Sequence, residues 1–175
     1  MKLTNSQIGF AIAAGVLVLD QAVKALFLYG LNWIASRDGL PVQPVEVLPF
    51  LNFVMVWNHG ISYGLLQATT DFHRWILAFF AAGVIGFLKW WLRGVQDLRL
   101  AQAIGLIIGG AVGNVIDRIL YGAVADFFHL HAFGYDWYVF NIADTAVVMG
   151  VAVMGFDLAL SEWRTRMRGA KEDQT

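Results

Sequence analysis

Four apolar stretches, each long enough to cross a lipid bilayer as a helix, constrain this chain more than any other feature of its sequence. They run over Ile8–Tyr29, Trp75–Leu92, Leu100–Leu120 and Val139–Leu160. A helix of about 20 residues spans the ~30 Å hydrocarbon core of a membrane. Only 14% of the 175 residues are charged, whereas soluble domains carry about 25%. The sequence therefore predicts an all-α membrane protein, a single domain over residues 1–175 that forms a four-transmembrane-helix bundle.

The distribution of basic residues predicts the orientation of the bundle. They concentrate before the first span, around the turn between the second and third, and after the fourth: Lys2, Lys89, Arg93, Arg99, Arg164, Arg166, Arg168 and Lys171. Cytoplasmic loops are enriched in Lys and Arg, so we expect both termini in the cytoplasm. Residues 164–175 are polar and are interpreted as a frayed cytoplasmic tail. A cleavable N-terminal signal peptide is the alternative, but the apolar run to Tyr29 is longer than the about 7–15 residues of a signal-peptide core.

The segment 30–74, between the first and second spans, is predicted to form a small β-containing extracytoplasmic subdomain. Prolines at positions 41, 44 and 49 precede Phe50–Trp57, an aromatic and β-branched run that is typical of an extended strand.

Small residues recur at every fourth position in the third and fourth spans: Gly105, Gly109 and Gly113, then Ala146 and Gly150. Such faces let helices approach closely, which indicates packing within the bundle. They do not establish an oligomer, and we expect a monomer.

Ionisable groups inside spans are costly in hydrocarbon and are therefore candidates for function. Asp20 and Lys24 are four residues apart on one helix face, a spacing that fits a structural ion pair as well as a catalytic role. Further polar residues gather at the outer ends of the third and fourth spans: Asn114, Asp117, Arg118, Asp126, Asn141 and Asp144. Asp157 is the exception, because a helix places it roughly 20 Å from Asp144. We interpret it as a structural acid near the cytoplasmic side.

Asp126 and Asp144 are expected at the same depth, because the chain leaves the membrane after the third span and re-enters at the fourth. Two adjacent carboxyl groups in apolar surroundings share one proton, since desolvation and repulsion oppose ionisation of both. Such a pair supplies a base for water and an acid for a carbonyl, as in aspartic proteases. Helix caps or ion-pair partners are the alternative interpretation.

Other chemistries have weaker support. Nucleic-acid binding is not expected, because 12 basic residues face 13 acidic ones, and the absence of cysteine excludes thiolate chemistry. Ser62 has no evident base in the sequence. His129 and His131 fall short of a zinc ligand set and are interpreted as interfacial loop residues, so no metal is predicted. A small ion-coupled transporter and a passive scaffold remain alternatives, although a transporter needs polar groups on both sides of the membrane.

Five blocks of sequence occur in a characteristic order along the chain. They are Asp20–Lys24 (DQAVK), Asn58–Gly64 (NHGISYG), Gly109–Arg118 (GGAVGNVIDR), Val124–Phe127 (VADF) and Phe140–Asp144 (FNIAD). Together they resemble lipoprotein signal peptidase, or signal peptidase II, a family of bacterial membrane aspartic proteases. The resemblance covers nearly the whole chain, and its departures are mild, at Val115 and Ala125.

The resemblance implies that Asp126 and Asp144 are the catalytic dyad. It implies substrate-binding or supporting roles for a further set: Asp20, Lys24, Asn58, Gly60, Asn114, Asp117, Arg118, Asn141 and Ala143. The implied substrate is a prolipoprotein whose cysteine bears diacylglycerol, cut just before that cysteine. The family implies no metal or organic cofactor, membrane lipid as a partner, the bacterial inner membrane as location and an extracytoplasmic site. Residues 30–74 resemble an outer cradle and gate over that site.

Overall fold

The computed structural model describes residues 3–60 and 71–172. Its helices are α1 (Asn5–Ala25), α2 (Asp71–Leu92), α3 (Leu98–Tyr121) and α4 (Ile142–Glu172). In this part of the chain, four segments are long and apolar enough to cross a membrane: Asn5–Gly30, Trp75–Leu92, Leu98–Tyr121 and Ile142–Ser161. The four predicted apolar segments are therefore helices that could span a membrane, close to the predicted positions.

An antiparallel sheet lies at one end of the bundle. Among the described residues it has four strands in the order β1 (Val45–Leu48), β2 (Leu51–Asn58), β3 (Val124–Ala132) and β4 (Tyr135–Phe140). The predicted strand at Phe50–Trp57 is confirmed as β2. The two hairpins, β1–β2 and β3–β4, are distant in sequence and join where β2 pairs with β3.

Three details of the sequence prediction are wrong. The fourth span does not begin at Val139, because Val139 and Phe140 belong to β4 and the helix begins at Ile142. His129 and His131 are not loop residues but lie in β3, where pairing with β2 and β4 satisfies the backbone. Residues 164–172 are helical rather than frayed, since α4 continues to Glu172 through Arg, Met, Ala and Lys, which favour helix.

Helix α3 lies at the centre of the bundle and packs against α1, α2 and α4. Its glycines allow very close contacts: a Cβ atom on Gly109 would lie 2.6 Å from the carbonyl oxygen of Ala13 in α1. On α4, a Cβ atom on Gly150 would lie 2.6 Å from the carbonyl oxygen of Ala103. The small-residue faces therefore pack helices against each other, as predicted.

An aromatic cluster fixes the sheet to the end of α1. Phe27 lies in a π-helical turn that follows α1, and its ring stacks on that of Phe127 in β3 with centroids 4.2 Å apart. Trp33 lies in a short 3₁₀ helix, Trp33–Asp38, and packs against Phe27 at 5.1 Å. All three side chains are buried, so burial of aromatic surface holds the sheet against the bundle.

A buried ion cluster joins α1 to α3. The Nζ atom of Lys24 lies 2.9 Å from Oδ2 of Asp20 and 2.8 Å from Oδ2 of Asp117. The three side chains are at most 2% exposed. Gln21 completes the cluster, because its amide donates to Asp20 at 3.1 Å and to Asp117 at 3.3 Å. The expected Asp20–Lys24 ion pair is thus present, and Asp117 is its third member.

The glycine contacts predict opposite effects for two substitutions on α4. Gly150→Ala forces a methyl group against the backbone of α3 and is expected to destabilise the protein by about 1–3 kcal/mol. Gly155→Ala is the matched control, because a Cβ atom there meets nothing within 4 Å; it is expected to be neutral or stabilising by up to ~1 kcal/mol. Unfolding in mixed micelles measures both, and equal effects would contradict the close contact.

The ion cluster predicts that Lys24→Met is strongly destabilising. Two buried carboxylates would lose their shared cation, and breaking a buried pair in this way typically costs about 3–5 kcal/mol. The control is Arg99→Met, which removes a 3.7 Å pair with Asp157 in which Arg99 is 67% exposed; such pairs contribute about 0–1 kcal/mol. A loss for Lys24→Met no larger than that for Arg99→Met would contradict the prediction.

Candidate active site

Asp144 is held by the first turn of α4. Asn141 precedes the helix, and its side-chain Oδ1 accepts from the backbone N–H of Asp144 at 2.9 Å. In return the backbone N–H of Asn141 donates to Oδ2 of Asp144 at 3.4 Å. This reciprocal arrangement is a capping box, with Asp in the place usually taken by Glu or Gln. The carboxyl group of Asp144 therefore lies at the positive end of the helix dipole.

Asp126 lies in β3 and is completely buried. Two asparagine side chains donate to its two oxygens: Asn141 Nδ2 to Oδ1 at 2.7 Å, and Asn58 Nδ2 to Oδ2 at 3.0 Å. Asn58 comes from the end of β2, and β2 pairs with β3 so that Val56 is the partner of Asp126. The sheet thus supplies both the carboxyl group and one of its donors.

Asn141 and Asn114 connect the two aspartates. Asn114 in α3 donates from Nδ2 to Oδ1 of Asp144 at 2.8 Å, and its Oδ1 accepts from Asn141 Nδ2 at 3.2 Å. Asn141 in turn donates to Asp126, so a continuous chain of hydrogen bonds runs from one carboxyl group to the other. The structure thereby brings Asp126, Asp144, Asn58, Asn114 and Asn141 into one site.

The buried ion cluster contacts the backbone immediately before each aspartate. Asp20 Oδ1 accepts from the N–H of Ala143 at 2.9 Å, and Asp117 Oδ2 accepts from the N–H of Ala125 at 3.1 Å. Lys24 also donates to Oδ1 of Asn114 at 3.2 Å. The ammonium group of Lys24 therefore supports, through Asp20 and Asp117, the two backbone segments that carry Asp144 and Asp126.

Ala143 occupies a position with space for a small side chain only. It is completely buried where α4 crosses α3, and a Cβ atom on Gly110 would collide with its carbonyl oxygen. The side chain of Ala143 also faces α3, because a Cβ atom on Gly113 would lie 3.5 Å from the Cβ atom of Ala143; a larger side chain at position 143 would therefore push the first turn of α4 away from α3.

Arg118 does not contact either aspartate directly. Its Nη2 donates to the carbonyl oxygen of Gly60 at 2.9 Å, and its Nη1 donates to that of Asn114 at 3.3 Å. The N–H of Gly60 donates to Oδ1 of Asn58 at 3.0 Å. Arg118 and Asn58 thus hold Gly60 beside the site, and Gly60 is buried.

The electrostatics of the site keep a proton on Asp126. Burial away from water, reinforced by the negative charge of Asp144, raises the pKa of Asp126 to about 8. A carboxyl group with this pKa is protonated at neutral pH and can donate a hydrogen bond or a proton. Asp144, with two N–H donors to its carboxyl group and a helix N-terminus beside it, is suited to carry the negative charge.

Several residues considered in the sequence lie elsewhere. His129 is beside Asp136 at 3.4 Å on the sheet, and Asp157 pairs with Arg99. Ser62 and Gly64 lie outside the described residues.

Two contributors were not singled out from the sequence. Gln21 could have been noticed as a polar residue inside a span, next to Asp20. Tyr138, whose hydroxyl accepts from Asn58 Nδ2, could not, because the strand that carries it was not predicted.

Comparison with known proteins identifies the family. The family profile described as signal peptidase (SPase) II matches residues 12–160. A lipoprotein signal peptidase of Methylobacterium sp. (strain 4-46) is 48% identical over 157 residues, which are 90% of this chain and 92% of that protein. One from Methylorubrum extorquens (strain PA1) is 46% identical over 156 residues, covering 89% and 87%.

Solved structures of bacterial membrane enzymes have the same fold. One, determined by the in meso method, superposes with a TM-score of 0.70 at 29% identity over 89% of each chain. A second has a TM-score of 0.68 at 30% identity and covers 86% of this chain and 92% of its own. The chain therefore belongs to the signal peptidase II family, the proteases that process lipoprotein signal peptides.

Proposed function

We propose that this protein is an aspartic endopeptidase in which Asp126 and Asp144 form the catalytic dyad. The observation that carries the proposal is the hydrogen-bonded path from Asp126 through Asn141 and Asn114 to Asp144. Because the chain belongs to a protease family, the proposal takes the place of the transporter and scaffold interpretations.

The two aspartates are suited to different steps. Asp144 accepts a proton from a water molecule, and the resulting hydroxide attacks the scissile carbonyl carbon. Asp126 donates its proton to the carbonyl oxygen, which gives a neutral tetrahedral diol. When the C–N bond breaks, the diol returns a proton to Asp126 as the carboxyl product forms, and the amine leaves with the proton taken by Asp144. Each aspartate thus regains its starting state.

The amides around the dyad are proposed to orient both carboxyl groups and the substrate backbone. An asparagine side chain offers donors and an acceptor, so it can hold a carboxyl group and also bind a peptide. Arg118 positions the backbone at Gly60. Asp20, Lys24 and Asp117 set the backbone before each catalytic residue, and Ala143 allows α4 to approach α3.

The substrate is proposed to be a prolipoprotein with a diacylglyceryl-cysteine, cut on the N-terminal side of that cysteine. A site where α3 and α4 meet the sheet lets lipid chains stay in the bilayer while the peptide bond reaches water. We further propose a monomer in the bacterial inner membrane, with cytoplasmic termini and the sheet on the extracytoplasmic side. The absence of Lys and Arg from residues 122–140 fits this orientation.

Replacing either dyad residue is expected to abolish turnover while preserving the fold. Asp126→Asn and Asp144→Asn each remove one proton-transfer group, and such groups contribute about 10²–10⁴-fold in rate. The assay follows release of the signal peptide from a diacylglyceryl-modified precursor, with mass spectrometry to locate the cut. Asp136→Asn, at an exposed position of β4, is the control and should retain the parent rate. Parent-like turnover by either dyad variant, with an unchanged melting temperature, would remove that residue from the mechanism.

The raised pKa of Asp126 predicts the alkaline limit of activity. Because Asp126 must carry a proton, kcat/KM is expected to fall as pH rises through about 8. The free energy of unfolding is expected to change with pH in the same direction. Because the folded-state pKa of Asp126 lies above its unfolded value of 3.8, the contribution of protonated Asp126 to stability is fully present below pH 3.8 and is lost as pH rises through about 8.

The variant Asp126→Asn provides the test of this linkage. Its melting temperature should decline less than that of the parent between pH 5 and pH 9, because no proton is lost at position 126. Identical declines, or an activity that stays flat across pH 8, would contradict the assignment of the proton to Asp126.

A further inference from the structure

An exposed aromatic group lies at the end of the sheet that is remote from the dyad. The turn between β3 and β4 consists of Phe133 and Gly134, and Tyr135 and Trp137 follow on β4. Phe133 is 100% exposed, Tyr135 81% and Trp137 67%. We call this group, together with Phe50, the aromatic tip.

The sheet register brings the second hairpin to the same place. The N–H of His131 donates to the carbonyl oxygen of Phe50 at 3.0 Å, and Leu51 pairs with Leu130. Phe50 lies in the β1–β2 turn and is 51% exposed. Phe50 and Phe133, which are 83 residues apart in the chain, therefore present apolar side chains at one end of the sheet.

The backbone of Phe133 is unusual for an aromatic residue. Its φ is +52° and that of Gly134 is +81°, the pattern of a type I′ turn, which favours Asn-Gly or Asp-Gly. A bulky residue with positive φ is strained. Because the side chain is wholly exposed, no side-chain packing within the described part of the protein offsets that strain.

The hairpin also has a polar face. Side chains alternate along a strand, so Tyr135 and Trp137 share one face of β4 while Asp136 lies on the other, within 3.4 Å of His129. Asp136 is as exposed as Tyr135, at 81%. An amphipathic hairpin of this kind separates an apolar from an aqueous environment.

The chemistry of the tip favours lipid over a protein or an anionic polymer as the partner. Residues 38–60 and 122–140 contain no Lys or Arg, whereas protein interfaces are enriched in Arg as well as aromatics. Phe, Tyr and Trp without basic residues are typical of the region between hydrocarbon and headgroups.

We infer that the aromatic tip inserts into the interfacial region of the bilayer and holds the sheet against the membrane surface. The tip lies about 20 Å from Asp126, from six strand residues at ~3.3 Å each, so it contacts bulk lipid rather than the scissile bond. The sheet is then held at two places, by the helix ends to which it is joined and by the aromatic tip, and these two contacts fix its tilt relative to the membrane. This inference does not depend on the identity of the catalytic residues.

Site-directed spin labelling tests the inference, and the chain suits it because it contains no cysteine. Phe133→Cys and Asp136→Cys are labelled separately and reconstituted in phosphatidylcholine nanodiscs. Val148→Cys, at a lipid-exposed position within the α4 span, gives the reference for hydrocarbon. The label's collision rates with oxygen, which partitions into lipid, and with a water-soluble nickel chelate are then compared.

The label at position 133 is expected to collide more often with oxygen than with the nickel chelate, as at position 148. The label at position 136 is expected to have a several-fold higher ratio of nickel to oxygen collisions than the label at position 133. Equal nickel access at 133 and 136 would place the tip in water and overturn the inference. A label at 133 that is shielded from both reagents, or whose mobility depends on protein concentration, would also overturn it by indicating a protein contact. No substrate is needed, so the result is independent of the proposed cleavage reaction.

Discussion

The interaction on which the site depends is the buried contact of Lys24 with Asp20 and Asp117. Burial of three charged groups is costly unless each is paired and hydrogen-bonded, and here the partners are supplied by α1 and α3 together. Both carboxylates and the ammonium group make further hydrogen bonds, and Asp117 does so through the same oxygen that contacts Lys24. They bind the backbone N–H groups of Ala143 and Ala125 and the side chain of Asn114. The pairing of helices and the spacing of the two proposed catalytic aspartates are thus set by the same ion cluster.

Close packing makes this arrangement possible. Gly110 and Gly113 in α3 leave no room for side chains beside Ala143 and Asp20, so the first turn of α4 lies directly against α3. A wider separation would stretch the hydrogen bonds from Asp20 to Ala143 and from Asn114 to Asp144. In a bilayer, where apolar burial between helices gives little driving force, such small-residue contacts and interhelical hydrogen bonds are the main source of association. Packing and the polar network therefore reinforce each other.

The sequence predicted those parts that depend on local pattern. Apolar runs located all four spans, and the spacing of Asp20 and Lys24 located the ion pair. Hydropathy could not separate Val139 and Phe140 from α4, because an apolar strand that leads directly into an apolar helix forms one continuous apolar stretch in the sequence. Strand β3 is recognisable only from its pairing with β2, and β4 only from its pairing with β3. The bridging role of Asn141 between Asp126 and Asp144 likewise needs the third dimension, although Asn three residues before Asp is a local capping signal.

The two aspartates differ because their supports differ, and this asymmetry supports the roles proposed for them. Asp126 comes from a strand, is wholly buried, and has two neutral amide side chains as its donors. Asp144 comes from a helix N-terminus, whose dipole and N–H groups favour negative charge. If both residues lay on equivalent supports, the shared proton would occupy either with equal ease, and half of the molecules would present the wrong residue as the base. Placing one carboxyl group on the sheet and the other on the helix removes that degeneracy before substrate binds.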